Sequence, residues 1–198
     1  MGAILMGRGL VAMLTRLGAT PNRVTLLGLV LVAVSCVAYL LHRNSFWFGV
    51  SLAISMSCDA LDGALARAQG SVTKFGGYLD AVVDRYEEIA AFLAIAWVTG
   101  WWLMCFLTVT GATLTSYNKA RLAIEIPVDN KAWPDLLERP QRMVLLFAGL
   151  LLDPFLPLPE WLGDRFLFLV LCALALLTHV TAIQRFLRAR RNLDAASR

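Results

Sequence analysis

Four aspartates crowd into residues 59–84, as Asp59-Ala60-Leu61-Asp62-Gly63 and again as Asp80-Ala81-Val82-Val83-Asp84. Spacings of three and four put each pair on a single face if both segments are helical. Carboxylates that converge repel one another, so a set of four stays ionised only beside a compensating cation. Hard, all-oxygen ligands select Mg²⁺, Mn²⁺ or Ca²⁺ over zinc. Two such ions shared by the set would clamp a diphosphate and stabilise both the attacking and the leaving oxygen of a displacement. Gly63, Ala66 and Gly76 leave bare faces nearby where a nucleotide or a neighbouring backbone can approach, and Arg67 would meet the same diphosphate from the side. Two other readings fit the spacing alone. The aspartates could simply pair with Arg67, Lys74 and Arg85 to hold helices together, or they could form the acidic pathway of a transporter.

The elements that must position these residues belong to a membrane protein. Of 198 residues, 59% are hydrophobic and 16% charged, and the mean hydropathy is +0.66. An average soluble domain is about half apolar and about one-quarter charged, so disorder, a charged coiled coil and a small secreted scaffold are excluded. A span takes about 20 mainly apolar residues. Runs of that kind are Val24 to Leu41, Phe46 to Ala68, Phe75 to Val98, Trp101 to about Arg121, Pro140 to Leu158, and Phe166 to about Ile183. The expected fold class is an all-α integral membrane protein of six transmembrane helices with an N-terminal interfacial amphipathic helix. Residues 1–20 are too interrupted to span, and Leu10, Val11, Met13, Leu14 and Leu17, with Arg8 and Arg16, suit a helix lying in the interface. Residues 21–190 would form the six-helix domain and 191–198 a basic cytoplasmic tail. Gly70 and Ser71 break the chain after the second span, so the second and third return antiparallel with both aspartate pairs at similar depth. Asp59 then lies about 15 Å from the helix end near Gln69.

Charge sets the orientation. Of the 18 lysines and arginines, all but Arg43, Arg165 and the intramembrane Arg85 fall on the side that holds both termini. The positive-inside bias makes that side cytoplasmic, and the aspartate site opens toward it. A multi-pass protein of the cell membrane is expected, its net charge of +4 matched to anionic headgroups and not to nucleic acid. Cys36, Cys58, Cys105 and Cys172 fall in four different spans without metal-ligand spacing and are read as buried thiols.

Taken as one string, Asp59-x₂-Asp62-Gly63-x₂-Ala66-Arg67-x₈-Gly76-x₃-Asp80-x₃-Asp84 resembles the signature of the CDP-alcohol phosphotransferase family, with no departure at a fixed position. Pro21-Asn22-Arg23-Val24-Thr25 resembles that family's lead-in to its first span. The resemblance implies a homodimer of six-helix subunits, each with a two-metal Mg²⁺ or Mn²⁺ site in the cytoplasmic half of the bilayer. It implies that Asp59, Asp62, Asp80 and Asp84 hold the metals and that Asp84 doubles as general base. It also implies that Asn22, Thr25, Asp59, Gly63, Ala66 and Arg67 face the CDP moiety. The implied reaction is attack by an alcohol oxygen on the lipid-side phosphorus of a CDP-lipid, with CMP leaving.

A second set of residues bears on the acceptor. Ser116-Tyr117-Asn118-Lys119-Ala120-Arg121 ends the fourth span, Glu138-Arg139-Pro140-Gln141-Arg142 opens the fifth, and Gln184-Arg185 ends the sixth. Lys119, Arg121, Arg142 and Arg185, arriving on three helices, suit a phosphate dianion. These blocks resemble the phosphatidylinositol-phosphate and archaetidylinositol-phosphate synthase branch of the family, whose acceptor is inositol 1-phosphate. The resemblance implies that Ser116, Lys119, Arg121, Arg142 and Arg185 hold that phosphate. Leu122-Ala123-Ile124 departs from the branch, which carries an acidic residue soon after the arginine; here Glu125 comes later. Gly76-Gly77-Tyr78-Leu79-Asp80 and Asp84-Arg85-Tyr86 stand closer to archaeal members, including di-myo-inositol phosphate phosphate synthases, whose donor is CDP-inositol. A glycerophosphate-type acceptor is the other alternative within the family. Lys131, Arg188, Arg190 and Arg191 are read as ordinary positive-inside charge. Glu88 is expected to orient Arg85, whereas spacing gives Glu87 no role. Trp101, Trp102, Trp161 and Tyr117 are read as interface anchors, His42 as a loop residue and His179 as a helix-packing residue.

Overall fold

The computed structural model describes residues 2–127, 136–159 and 165–196, and the regular elements among them are helices. Lys131, Trp161 and Arg198 lie outside the described residues. In chain order the helices are α1 (Gly2–Arg16), α2 (Pro21–His42), α3 (Ser45–Ala68), α4 (Lys74–Thr99), α5 (Trp102–Glu125), α6 (Arg139–Leu152) and α7 (Phe166–Ala196), with a 3₁₀ turn at Asp153–Phe155. Local chemistry sets their ends. Pro21 occupies the first turn of α2, where its missing N–H has no helical partner to lose. Arg43 closes that helix at φ 51° with its N–H on the Tyr39 carbonyl, and Asn44 opens α3 by accepting the Trp47 N–H at 3.2 Å. After α3, Gly70 takes φ +60°, a conformation a side chain disfavours. Thr73 then caps α4 by accepting the Gly76 N–H at 3.0 Å. The break predicted at Gly70-Ser71 is thus a helix stop followed closely by a helix start.

The chain divides into two compact units, Met1–Ala94 and Ile95–Arg198, with the last turn of α4 in the second. In the first unit α2 packs along α3, and α1 lies against α3. Val32, Tyr39, Phe48, Leu52 and Leu65 are fully enclosed, and Tyr39 stacks on Phe48 at 4.2 Å. Leu27, Val30, Val34, Val37 and Leu41 leave an exposed apolar face on α2, as a helix that is apolar all round presents to lipid. Cys36 is buried and Cys58 half-buried.

In the second unit α7 packs on α5 and α6 and encloses Leu167, Leu171 and Leu174. The α5–α7 contact is closest at Gly111, where a Cβ would come within 2.3 Å of Thr178 Oγ1 and 3.1 Å of the His179 ring. Such bare approach is how membrane helices bring their backbones together. Thr115 Oγ1 donates to the Thr178 carbonyl at 3.3 Å and Asn118 Nδ2 to the Ala182 carbonyl at 3.0 Å. At the start of α7, buried Asp153 accepts the Leu167 N–H at 3.1 Å and pairs with Arg165. The Arg165 guanidinium lies 5.3 Å over the Trp101 ring, which itself packs on Phe168. Trp101, expected as an interface anchor, thus also packs within the second unit.

Among the described residues three helices are long and apolar enough to cross a membrane, namely α2, α3 and α7, with mean hydropathies of 2.6, 1.2 and 2.5 over their most apolar stretches. The sequence predicted six. Helices α4 and α5, of 26 and 24 residues, have the length. Acidic residues lower the hydropathy of α4, and Thr108, Thr110, Thr113 and Thr115 lower that of α5. With 14 residues, α6 rises only about 21 Å and stops at Leu152, short of the predicted Leu158, because Pro154 and Pro157 cannot continue it. In contrast α7 runs past its predicted end at Ile183. Nothing between Gln184 and Ala196 is Gly or Pro, and Arg190 reaches Asp194 at 3.8 Å. The predicted tail from residue 191 is therefore helical as far as Ala196.

Candidate active site

The last half of α3 carries Asp59 and Asp62, and the first half of α4 carries Asp80 and Asp84. One carboxylate oxygen each from Asp59, Asp84 and Glu87 lies within 4.8 Å of the others. Oxygen ligands sit about 2.0–2.6 Å from Mg²⁺ or Ca²⁺, so three atoms this close can share one ion. The donors are all carboxylate, a set that fits Mg²⁺ or Mn²⁺ and not a thiolate- or imidazole-preferring metal. Asp62 is held differently. It is buried and accepts a hydrogen bond from the Thr25 hydroxyl, which also lies 3.2 Å from the Pro21 carbonyl. Thr25, expected on the CDP side, thus orients a predicted metal ligand from α2.

Beside these aspartates a cavity of about 460 Å³ opens among the start of α2, the end of α3 and the start of α4. Asn22, Thr25, Gly63, Ala66 and Arg67 line it, as do Asp62 and Asp80. Its volume lies within the usual range for a small-molecule site. Bare positions keep it open. A Cβ at Gly76 would meet Thr73 Oγ1 at 3.1 Å and Asn22 Oδ1 at 3.4 Å, and one at Gly63 would meet the Arg67 guanidinium at 3.4 Å. Of the residues expected around CDP, only Asp59 is absent from this lining; it stands with Asp84 and Glu87.

The residues expected around the acceptor phosphate all lie in the second unit. Ser116 and Lys119 are half-buried on α5. Arg142 and Arg185 are only 2% and 7% exposed, an unusual condition for guanidinium groups. Arg142 donates to the Leu137 carbonyl at 3.4 Å, and Arg185 reaches from α7 to the Thr115 carbonyl on α5 at 2.5 Å. Arg121 is set apart from them. It is exposed and paired at 2.8 Å with Glu125, the late acidic residue noted in the sequence. Glu88 pairs with Arg85 at 2.9 Å, as expected.

Comparison with known proteins bears on this arrangement. The family model for CDP-alcohol phosphatidyltransferases matches residues 18–184. The chain belongs to the CDP-alcohol phosphatidyltransferase family. It is accordingly an enzyme, a transferase associated with membranes. The archaetidylinositol phosphate synthase of Pyrococcus horikoshii is 33% identical over 183 residues, 91% of this chain and 89% of that protein. The phosphatidylinositol phosphate synthase of Mycolicibacterium smegmatis is 33% identical over 183 residues, 86% and 77% of the two chains. Among solved structures, the Mycobacterium tuberculosis phosphatidylinositol phosphate synthase with CDP-DAG bound is similar at a TM-score of 0.80 and 25% identity, over 92% of both chains. The same enzyme in complex with manganese and citrate gives 0.80 and 26% over 92% of this chain and 88% of that one.

Within this CDP-alcohol phosphatidyltransferase, Arg185 stands one position past the matched stretch, which holds every other predicted site residue. Sequence reasoning missed the place of Glu87. A signal was present, because Glu87 is three residues after Asp84 and seven after Asp80, on the same face of α4. Nothing in the sequence marked the hydrogen bond from Thr25 to Asp62, which joins residues 37 positions apart.

Proposed function

We propose that this CDP-alcohol phosphatidyltransferase moves the phosphatidyl or archaetidyl group of a CDP-lipid onto a hydroxyl of inositol 1-phosphate and releases CMP. The observation that carries the reading is one cavity gathering Asn22, Thr25, Gly63, Ala66 and Arg67 with Asp62 and Asp80, while Asp59 and Asp84 stand at ligand spacing. The names of the relatives, and the CDP-DAG and manganese held by the M. tuberculosis enzyme, support it. In this reading Asp59, Asp62, Asp80 and Asp84 hold two Mg²⁺ or Mn²⁺ ions, which when bound neutralise the diphosphate and its developing charge. Asp84 takes the proton of the acceptor hydroxyl as that oxygen bonds to the lipid-side phosphorus. The bond from this phosphorus to the CMP oxygen breaks, and CMP carries that oxygen away. Arg67 donates to the diphosphate, Gly63 and Ala66 let the nucleotide lie close to α3, and Asn22 meets it from α2. Thr25 acts by orienting Asp62.

The acceptor phosphate falls to Arg142 and Arg185, with Ser116 and Lys119; Arg121 joins them on releasing Glu125. The same reading takes all of α2–α7 as spans, both termini and the site as cytoplasmic, and the enzyme as a homodimer in the cell membrane. CMP release by the detergent-purified chain, across a panel of phosphorylated alcohols and with both ester- and ether-linked CDP-lipids, is the test. Release that requires inositol 1-phosphate together with Mg²⁺ or Mn²⁺ supports the proposal. Equal release with glycerol 3-phosphate removes the acceptor assignment, and solute flux in liposomes without CMP release removes the reaction.

A further inference from the structure

We propose that Glu87 is a fifth carboxylate of the metal centre, holding a divalent ion together with Asp59 and Asp84; this rests on the metal-dependent reading above. Glu87 is fully buried, at 0% exposure, one turn farther along α4 than Asp84. Asp80, Asp84 and Glu87 therefore form one acidic stripe that continues past the last position of the family signature. The Glu87 carboxylate comes within 4.8 Å of those of Asp59 and Asp84, a spacing at which like charges oppose one another unless a cation lies among them. Helix α2 leaves room for it. A Cβ at Gly28 would stand 3.3 Å from Glu87 Oε1 and 3.2 Å from Cys58 Cβ, so only backbone faces the glutamate there. Glu88, its equally buried neighbour, pairs with Arg85 at 2.9 Å. An acid inside a membrane helix is costly and has a task, and for Glu87 the geometry names one.

The test is Mn²⁺ binding to the purified full chain, by calorimetry and by electron paramagnetic resonance of the free ion, for wild type, Glu87→Gln, Glu87→Asp and Asp84→Asn. Glu87→Gln should bind Mn²⁺ about tenfold or more weakly, and Glu87→Asp should recover part of the loss. Wild-type affinity in Glu87→Gln, with Asp84→Asn weakened, would overturn the role of Glu87 and leave the metal-dependent reading standing. Failure of the wild type to bind Mn²⁺ would overturn both. The rise in melting temperature on adding Mn²⁺ separates ligand from packing residue. A smaller rise in Glu87→Gln supports the proposal. A lowered metal-free melting temperature with an undiminished rise marks Glu87 as packing alone.

Discussion

Asp84 and Arg142 stand for the two kinds of charge in this enzyme, and their losses should read differently in kinetics. Asp84→Asn keeps shape and volume but removes the carboxylate proposed as the base. Turnover should fall by about 10²–10⁴-fold, with the melting temperature of the purified chain unchanged. Wild-type-like turnover in that variant removes the base assignment. Arg142→Ala and Arg185→Ala should raise KM for the phosphorylated acceptor by about 10–100-fold, the scale of a hydrogen bond to a charged group, and leave KM for the CDP-lipid alone. A rise shared equally by both substrates would argue against the pocket. The aspartates, Gly63 and Arg67 stood out in the sequence by type and spacing, and the structure sets Asp62, Gly63, Arg67 and Asp80 around one cavity and brings Asp59 and Asp84 together. Glu87 shares the α4 face of Asp80 and Asp84 in the sequence, but only the fold brings Asp59 of α3 against it. The pairing of Arg121 was not legible either. Its partner Glu125 is one turn away on α5, and an i,i+4 ion pair looks no different in sequence from an arginine awaiting a ligand.

Among the elements, the break at Gly70-Ser71 was legible because a glycine acts locally, whereas the stop that Pro154 imposes on α6 was read too late. The end of α7 was not legible, because apolarity runs out at Ile183 while helical propensity continues to Ala196. The clasp at the start of α7 was also hidden. Arg165 read as a lone charge on the far side, yet Asp153, twelve residues earlier, receives its guanidinium and caps Leu167 as well. Asp153→Asn removes the ionic half of that clasp. It should destabilise the chain by about 1–3 kcal/mol in denaturant unfolding while KM for either substrate stays at the wild-type value. A change in KM without loss of stability would give this cluster a catalytic part in place of a structural one.

For the whole molecule, composition alone gave the solvent, because so few of the residues are charged that only a bilayer accounts for the rest. It did not give the number of crossings. Helix α4 carries the aspartates of the candidate site and α5 carries threonines, Thr115 among them bonded to α7, so neither has the apolarity by which a span is recognised. The carboxylates and the 460 Å³ cavity lie in the first unit, and the buried Arg142 and Arg185 lie in the second. Orientation is testable directly. Single cysteines are placed at Asn44 or Ser71 in a chain whose four native cysteines have been replaced. A membrane-impermeant thiol reagent added to whole cells should label the first and spare the second. The reverse pattern would invert the topology.

The close approach at Gly111 couples two positions 67 residues apart in the chain. Alanine at 111 alone drives a methyl group into the Thr178 side chain, at a cost of about 1–3 kcal/mol for an overfilled contact. The volume that must be empty belongs to the pair of helices and not to α5, so the notch can be cut into either one. Gly111→Ala combined with Thr178→Gly should therefore be more stable than Gly111→Ala alone, a non-additive double substitution measurable by thermal unfolding. Over evolutionary time the glycine is free to migrate from one helix to the other, provided the two sites change as a compensating pair.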